Sequence, residues 1–167
     1  VKKVAEETTN IIRRLPYKTP SYSVEDGTTL LDTPEGPMPI EVFGAHNLNN
    51  LAGAKWICQN MGIDEADFYE AIATFKGASK RLEKIAEGKG KVAYKDFAHS
   101  PSQVSATTKA VKAQYPNRKL VACLELHTYS SLNAEFLKEY EGALDAADVA
   151  VVFYSPDAVK IKKLEEV

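Results

Sequence analysis

The sequence predicts an α/β protein whose second half is a doubly wound, Rossmann-like parallel sheet, preceded by a small antiparallel meander and helices. Two continuous apolar runs, residues 120–124 and 149–153, are typical of parallel strands covered on both faces. The expected strand ends at Phe97, Leu126 and Tyr154 follow one another at roughly 30 residues, the usual length of a βαβ unit. Residues 21–43 instead alternate in hydropathy and are broken by turn dipeptides, which indicates short antiparallel strands.

The first half contains the meander and three expected helices. Residues 2–14 fit a short amphipathic helix stopped by Pro16. The meander, with a turn at Asp26-Gly27, is too small to bury two faces by itself and should pack on another element. Residues 49–61 have helical spacing with Gly62 as the C-cap. Asp64 then caps a helix that ends near residues 76–77 and buries one stripe: Phe68, Ile72 and Phe75.

The second half alternates regularly between strands and helices. Strands are expected over residues 91–97, 119–126 and 149–154, and helices over 101–114 and 133–147. The glycine-rich break at 88–90 predicts a domain boundary, which divides the chain into residues 1–88 and 89–167.

Composition narrows the function classes. The chain has 167 residues, 44% hydrophobic and 26% charged, and a net charge of −2. This size suits one packed domain and excludes a full multidomain enzyme, and the charge argues against nucleic acid as a partner. No signal peptide or membrane-inserting run occurs, so we expect a cytoplasmic protein, and no obligate protein partner is inferred. Cys58 and Cys123 lie in apolar runs and are expected to be reduced core thiols.

Polar side chains follow the expected strands of the parallel sheet. Asp96 and His99 come after the first strand, and His127, Thr128 and Tyr129 come after the second. Ligands of open parallel sheets bind outside the carboxyl ends of the strands. These residues are therefore candidates for a binding site, and the alternative is that the histidines are structural.

Another group of polar residues lies in the segment that connects the meander to the following helix. His46, Asn47 and Asn50 stand in the sequence G-A-H-N-L-N-N. An asparagine amide carries both a donor and an acceptor, which suits the edge of a purine base. Capping of the helix is an equally good interpretation of the same residues.

Residues 76–95 contain seven Lys or Arg and two Glu, a local net charge of +5. Within this stretch the guanidinium of Arg81 could hold a phosphate through two hydrogen bonds. A solvated helix face is the alternative. The chain has no phosphate-loop motif, nucleophile elbow or dinucleotide fingerprint, so it does not encode a complete phosphotransfer site.

Three segments together resemble the Mur ligase family of ATP-dependent peptidoglycan enzymes. Residues 44–52 resemble its G-x-H-N-x-x-N-x-x-A motif, residues 75–83 its F-x-G-x-x-R-R-x-E segment, and residues 96–101 its D-[FY]-[AG]-H-x-P motif. The resemblance extends from about Tyr22 to Asp157 and implies that residues 1–88 end a central ATPase domain and residues 89–167 begin a C-terminal domain, which is cut short.

The resemblance also implies ligands and roles. ATP and Mg²⁺ would be the cofactors, bound mainly outside this chain, and UDP-N-acetylmuramate with an amino acid or peptide would be the substrates. No catalytic residue or metal ligand is assigned within the chain. The implied ATP-binding residues are His46, Asn47 and Asn50 at the adenine, Arg81 at phosphate, Asp96 at the ribose or closing interface, and His99 beside it. The implied binding residues for the incoming amine are His127, Thr128 and Tyr129.

Within the family, residues 80–83 and 96–99 most resemble the recycling member that attaches L-Ala-γ-D-Glu-meso-diaminopimelate, with the L-alanine-adding member as the alternative. Two departures stand against the first: Lys80 replaces a family arginine, and a Pro-Arg pair is missing after the second strand. The implied reaction passes through an acyl phosphate, and the fragment alone is expected to be inactive. A non-catalytic nucleotide- or peptide-binding module is the alternative of another class.

Overall fold

An antiparallel meander opens the fold in the computed structural model, which describes residues 6–157. Its strands are β1 (Tyr22–Glu25), β2 (Thr28–Thr33) and β3 (Gly36–Ile40), paired in that order. Asp26 and Gly27 join β1 to β2 with φ of +48° and +78°. Two successive residues with positive φ are typical of the type I′ hairpin turn, so the predicted turn is confirmed.

Two helices cover one face of the meander: α1 (Ala45–Asn60) and α2 (Glu65–Ala73). Asp64 caps α2 as predicted, and its carboxylate accepts a hydrogen bond from the Asp67 backbone N–H at 2.8 Å. The meander therefore packs on another element, as expected. The cluster between them consists of buried side chains from all three parts: Leu31, Ile40, Leu48, Leu51 and Phe68.

A hairpin absent from the sequence prediction follows α2. Strand β4 (Glu83–Gly88) pairs antiparallel with β5 (Lys91–Lys95), and the two form a separate sheet. The strand expected over residues 91–97 exists as β5, but the prediction that it belongs to the parallel sheet was wrong, because β5 pairs with β4. The local cause is the glycine-rich break, where Lys89 and Gly90 have φ of +50° and +74° and form a type I′ turn that brings β4 and β5 together.

The parallel part of the fold begins with α3 (Pro101–Gln114), which has the predicted bounds. Strands β6 (Val121–Leu126) and β7 (Val149–Tyr154) then pair in parallel, with Val121 opposite Val149. The fold is thus mixed α/β, with an antiparallel meander and a parallel sheet, and this confirms the predicted class. Within residues 6–157 the parallel sheet has these two strands.

The segment between β6 and β7 differs from its prediction. Instead of one helix over 133–147, it forms a 3₁₀ turn (Ser130–Leu132), the short α4 (Ala134–Leu137) and a second 3₁₀ turn (Lys138–Tyr140). Gly142 follows with φ of +73°, a left-handed conformation that a continuous helix cannot contain.

Burial corrects three further expectations. Residues 8–14 are not helical, and Ile11 in the thin apolar face is fully exposed. Residues 2–5 of that predicted helix lie outside the described range. Phe75 lies beyond the end of α2 and is exposed. Both cysteines are free, but Cys123 is exposed and only Cys58 is half-buried, so the expected core position of Cys123 was wrong. None of the described helices is long and apolar enough to cross a membrane.

The C-terminal end of α3 ties the second half of the chain to the meander. The Thr29 hydroxyl donates to Oε1 of the buried Gln114 at 3.1 Å, and Nε2 of Gln114 donates to the Gly27 carbonyl at 2.7 Å. Beside this link, Phe43, Leu82 and Ala110 form a second buried cluster. These contacts set the positions of α1, the segment before β4, and α3 around the site described next.

Leu48 tests the packing of the meander against the helices. Its side chain is fully buried, so Leu48→Ala should lower the free energy of unfolding by about 2–5 kcal/mol through lost burial and the cavity left behind. Ile57→Ala on the same helix is the matched control. Because the Ile57 side chain is 63% exposed, it should change stability by no more than about 0.5 kcal/mol. Urea unfolding measures both, and equal effects would contradict the described core.

Candidate functional site

Five of the six residues expected to bind ATP line one cleft of about 310 Å³. We call it the histidine cleft; it lies between the start of α1, the segment before β4, and the segment that joins β5 to α3. The five residues are His46, Asn47, Arg81, Asp96 and His99. The structure thus brings together side chains that are 53 positions apart in sequence.

The sixth residue, Asn50, lines an adjoining cleft of about 220 Å³, which we call the asparagine cleft. Its wall is largely apolar and includes Leu51, Ile72 and Phe75. Asn47 and Arg81 line both clefts, so an amide and a guanidinium stand where the two meet. A planar apolar group with a polar edge and an attached anion could be held across this junction.

The start of α1 is fixed by a close approach to α3. Gly44 has a φ of +87°, and a Cβ added there would lie 2.7 Å from the Ala110 Cβ. Only glycine fits this position. The Asn47 side chain then donates from Nδ2 to the Phe43 carbonyl at 3.1 Å. This contact anchors the helix start but is the reverse of an N-cap, in which the side chain accepts.

Asp96 holds three segments at the floor of the histidine cleft. Its Oδ2 accepts from the Leu82 backbone N–H at 2.7 Å, and its Oδ1 accepts from the Ala98 N–H at 2.7 Å and from the Thr107 hydroxyl at 3.3 Å. Each hydrogen bond to a charged group contributes about 1.5–3 kcal/mol in typical cases. The carboxylate is therefore engaged by the protein itself.

His46 stands between charges of opposite sign. Burial lowers the pKa of its imidazole, the Asp96 carboxylate opposes this, and the Arg81 guanidinium lowers the pKa further. The ring is therefore neutral at pH 7, with one nitrogen that donates and one that accepts a hydrogen bond. A neutral imidazole can recognise a polar edge without adding charge.

The turn that carries Arg81 contains features that the sequence analysis missed. Lys80 and Leu82, on either side of Arg81, have φ of +56° and +48°. Glu83 folds back and accepts hydrogen bonds from within this turn. Lys80 also lines the histidine cleft, and no sequence signal marks these conformations. One signal in the sequence was overlooked: Ser100 and Gln103 have the spacing of a capping box, and the structure has this capping box at the start of α3.

The two histidines expected at strand ends meet on the Phe97 ring. The ring centroid of Phe97 lies 5.1 Å from that of His99 and 5.9 Å from that of His127, and the two imidazoles are 6.5 Å apart. Each imidazole directs Nδ1 at the backbone carbonyl two residues earlier, at 2.9 Å for His99 and 3.2 Å for His127. His127 is exposed and outside the core, and it does not line the histidine cleft, although its ring packs on Phe97, which does.

The other two residues expected to bind the incoming amine have different surroundings. The Thr128 hydroxyl accepts from the Ser131 N–H at 3.1 Å, while the Ser131 hydroxyl accepts from the Thr128 N–H at 3.0 Å. Thr128 therefore shapes the turn after β6. Tyr129 is 64% exposed and lines a shallow surface with Phe136, apart from both clefts.

The two clefts combine apolar walls with polar and cationic side chains. Apolar walls, two amides and a neutral imidazole fit a base, and Lys80 and Arg81 fit phosphate. Residues 6–157 contain no group of three or more His, Cys, Asp or Glu that could hold a metal ion. The cations among the described residues could bind an anion.

Comparisons with known proteins identify relatives of this chain. No protein-family model matches the chain. It is 34% identical over 113 residues to the UDP-N-acetylmuramate–L-alanine ligase of Lactococcus lactis, with 68% of this chain and 25% of that protein covered. It is 35% identical over 131 residues to the ligase of the same name from Microcystis aeruginosa, with 75% and 27% covered. The chain thus spans about a quarter of the length of these relatives.

A solved structure shares the fold. The UDP-N-acetylmuramate-alanine ligase of Thermotoga maritima matches with a TM-score of 0.66 at 21% identity, over 86% of this chain and 33% of that one. The sequence similarity supports the Mur ligase family for this chain, and the solved structure shows that the fold is shared. The reported sequence relatives carry the name of the L-alanine-adding member, which was the alternative, and the tripeptide-adding member is not confirmed.

The His46 pKa predicts an effect of pH on stability. Because the pKa is lowered in the fold from 6.5, the unfolded chain binds the proton more readily, so stability is retained above pH 6.5 and declines as pH falls toward the folded pKa. NMR titration of the imidazole should give a midpoint below 6.5. Asp96→Asn should lower that midpoint further, since the carboxylate raises it.

His46→Ala is the control for this pH effect. The variant should lack the part of the stability loss below pH 6.5 that comes from His46, as measured by urea unfolding at several pH values. A wild-type midpoint at or above 6.5 would contradict the half-buried position of the ring.

Proposed function

We propose that this chain is part of an ATP-dependent Mur ligase that joins L-alanine to UDP-N-acetylmuramate in peptidoglycan biosynthesis. The observation that carries the proposal is the convergence of His46, Asn47, Arg81, Asp96 and His99 on one cleft. The names of the sequence relatives support L-alanine as the amine.

In this proposal the adenine of ATP lies along the asparagine cleft. The amides of Asn47 and Asn50 would pair with the polar edge of the base, and the apolar wall would cover its face. His46 would contribute an uncharged donor or acceptor from the neighbouring cleft. Burial of a flat, weakly polar base in such a cleft is favourable because it removes apolar surface from water.

The phosphates would extend toward the histidine cleft. The Arg81 guanidinium stands at the junction and would bind one phosphate through two hydrogen bonds, and Lys80 would add a second positive charge. These cations would stabilise negative charge during phosphoryl transfer. Mg²⁺ would supply further charge stabilisation when bound.

We assign residues 1–88 to the end of a central ATP-binding domain and residues 89–167 to the C-terminal domain. In this division the asparagine cleft is lined entirely by residues of the first part, whereas residues of both parts line the histidine cleft. His127, whose ring packs on Phe97 of the histidine cleft, would then face the incoming amine. Thr128 would support this turn, and Tyr129, which lies on a separate surface, would contact the amine only where the substrate extends beyond the cleft. Because the 167 residues contain no phosphate-loop motif, we expect the chain alone to bind nucleotide without turnover.

The choice of amine can be tested in the full-length ligase. Phosphate release in the presence of ATP and UDP-N-acetylmuramate should be faster with L-alanine than with L-Ala-γ-D-Glu-meso-diaminopimelate. The opposite preference would favour the recycling ligase. If no phosphate is released with either amine, the result would favour a non-catalytic binding module and contradict the proposal.

Arg81 can be tested in the same assay. Arg81→Ala should lower kcat/KM by roughly tenfold to a hundredfold, since a hydrogen bond to a charged group contributes about 1.5–3 kcal/mol. The matched control is Arg118→Ala, which removes an exposed arginine that lies over the Tyr115 ring and lines neither cleft. Unchanged kinetics for Arg81→Ala, or equal losses in the two variants, would remove Arg81 from the ATP site.

A further inference from the structure

The turn that carries Arg81 has an unusual backbone. Lys80 and Leu82 have φ of +56° and +48°, in the left-handed region that disfavours residues with a Cβ. Arg81 stands between these two residues. Such strained conformations persist only where the surroundings hold them, and they are concentrated at functional sites.

Two carboxylates hold this backbone, one on each side of Arg81. Glu83 Oε2 accepts from the Lys80 N–H at 2.8 Å and from the Ser79 hydroxyl at 3.1 Å. Asp96 Oδ2 accepts from the Leu82 N–H at 2.7 Å. The Lys80 carbonyl also accepts from the Phe97 N–H at 2.8 Å, so the strained residue is held at both of its peptide groups.

Glu83 and Asp96 differ in whether they line a cleft. Asp96 lines the histidine cleft, whereas Glu83 lines neither of the two clefts. An effect of Glu83 on a ligand in the clefts must therefore pass through the backbone of residues 79–82. The Lys80 N–H, followed by the Ser79 hydroxyl, holds the pKa of Glu83 below its ordinary value, which is consistent with an ionised acceptor.

We infer that Glu83 is a positioning residue: it holds Lys80 in the left-handed conformation that directs Arg81 to the junction of the two clefts. The inference rests on the proposed function for the identity of the ligand, ATP phosphate. The bracing itself is a property of the chain and can be measured without a ligand.

The test uses the 167-residue chain and two double variants with equal charge, E83A/K80G and E83A/K80A. Both lack the carboxylate and the Lys80 ammonium, but only glycine adopts a φ near +56° without a Cβ penalty. If Glu83 serves to hold that conformation, glycine should restore it. The left-handed conformation costs about 1–2 kcal/mol per residue, which corresponds to roughly five- to thirtyfold.

Amide hydrogen exchange of the Leu82 N–H decides the inference. Relative to wild type, exchange should be faster by roughly five- to thirtyfold in E83A/K80A and close to the K80G value in E83A/K80G. K80G and K80A with Glu83 intact should differ much less. Equal exchange in the two double variants would overturn the inference. Should an alanine at position 83 prevent folding, E83M carries the same comparison, because it keeps the length of the side chain without an oxygen acceptor.

Calorimetric titration of the same variants with ATP separates this inference from the proposed function. If ATP binds wild type, E83A/K80G should bind it more tightly than E83A/K80A. Equal affinities of the two double variants would overturn the positioning of Arg81. If wild type binds no ATP, the proposed function fails for this chain, and the exchange measurement still decides whether Glu83 holds the turn.

Discussion

The Asp96 carboxylate is the contact on which the site depends. It accepts from Leu82, Ala98 and Thr107, which belong to the turn before β4, the end of the β5 segment and α3. A half-buried carboxylate with too few donors would be costly, so its three partners must stay in place together. This one group thus fixes the distance between the turn that carries Arg81 and the helix that forms the opposite wall. Its charge also acts on the His46 pKa.

A buried apolar cluster next to Asp96 also positions the residues of the site. Leu82, whose N–H is bound by Asp96, buries its side chain against Phe43 and Ala110. Gly44 approaches Ala110 so closely that α1 begins directly beside α3. The position of His46 and Asn47 therefore follows from a glycine and an alanine that have no chemical role. The polar cleft is a consequence of the buried cluster next to it.

The sequence predicted the elements that have local signals. Helix α3 has Pro101 in its first turn, Asp64 is an N-cap, and Asp26-Gly27 is a hairpin turn, and each signal acts within a few residues. The β4–β5 hairpin could not be found from apolar runs because β4 is almost wholly exposed. Motif resemblance selected, residue by residue, five of the side chains that line the histidine cleft. The strain at Lys80 and Leu82 was not, because the groups that hold it come from Glu83 and from Asp96, which is 14 residues away from Leu82.

The basic stretch over residues 76–95 shows how geometry separates two interpretations that the sequence left open. Three of its seven cations line the clefts: Lys76, Lys80 and Arg81. The other four lie on the β4–β5 hairpin, where Lys84 pairs with Glu87 at 2.9 Å on an exposed surface. Exposed pairs of this kind contribute little to stability. Phosphate binding therefore stays a proposal for the cations that line the clefts, and the expected solvated helix face is wrong in one respect: the exposed lysines lie on a hairpin and not on a helix. The strained turn marks the division, since the cations up to Arg81 face the clefts and those after Leu82 face solvent.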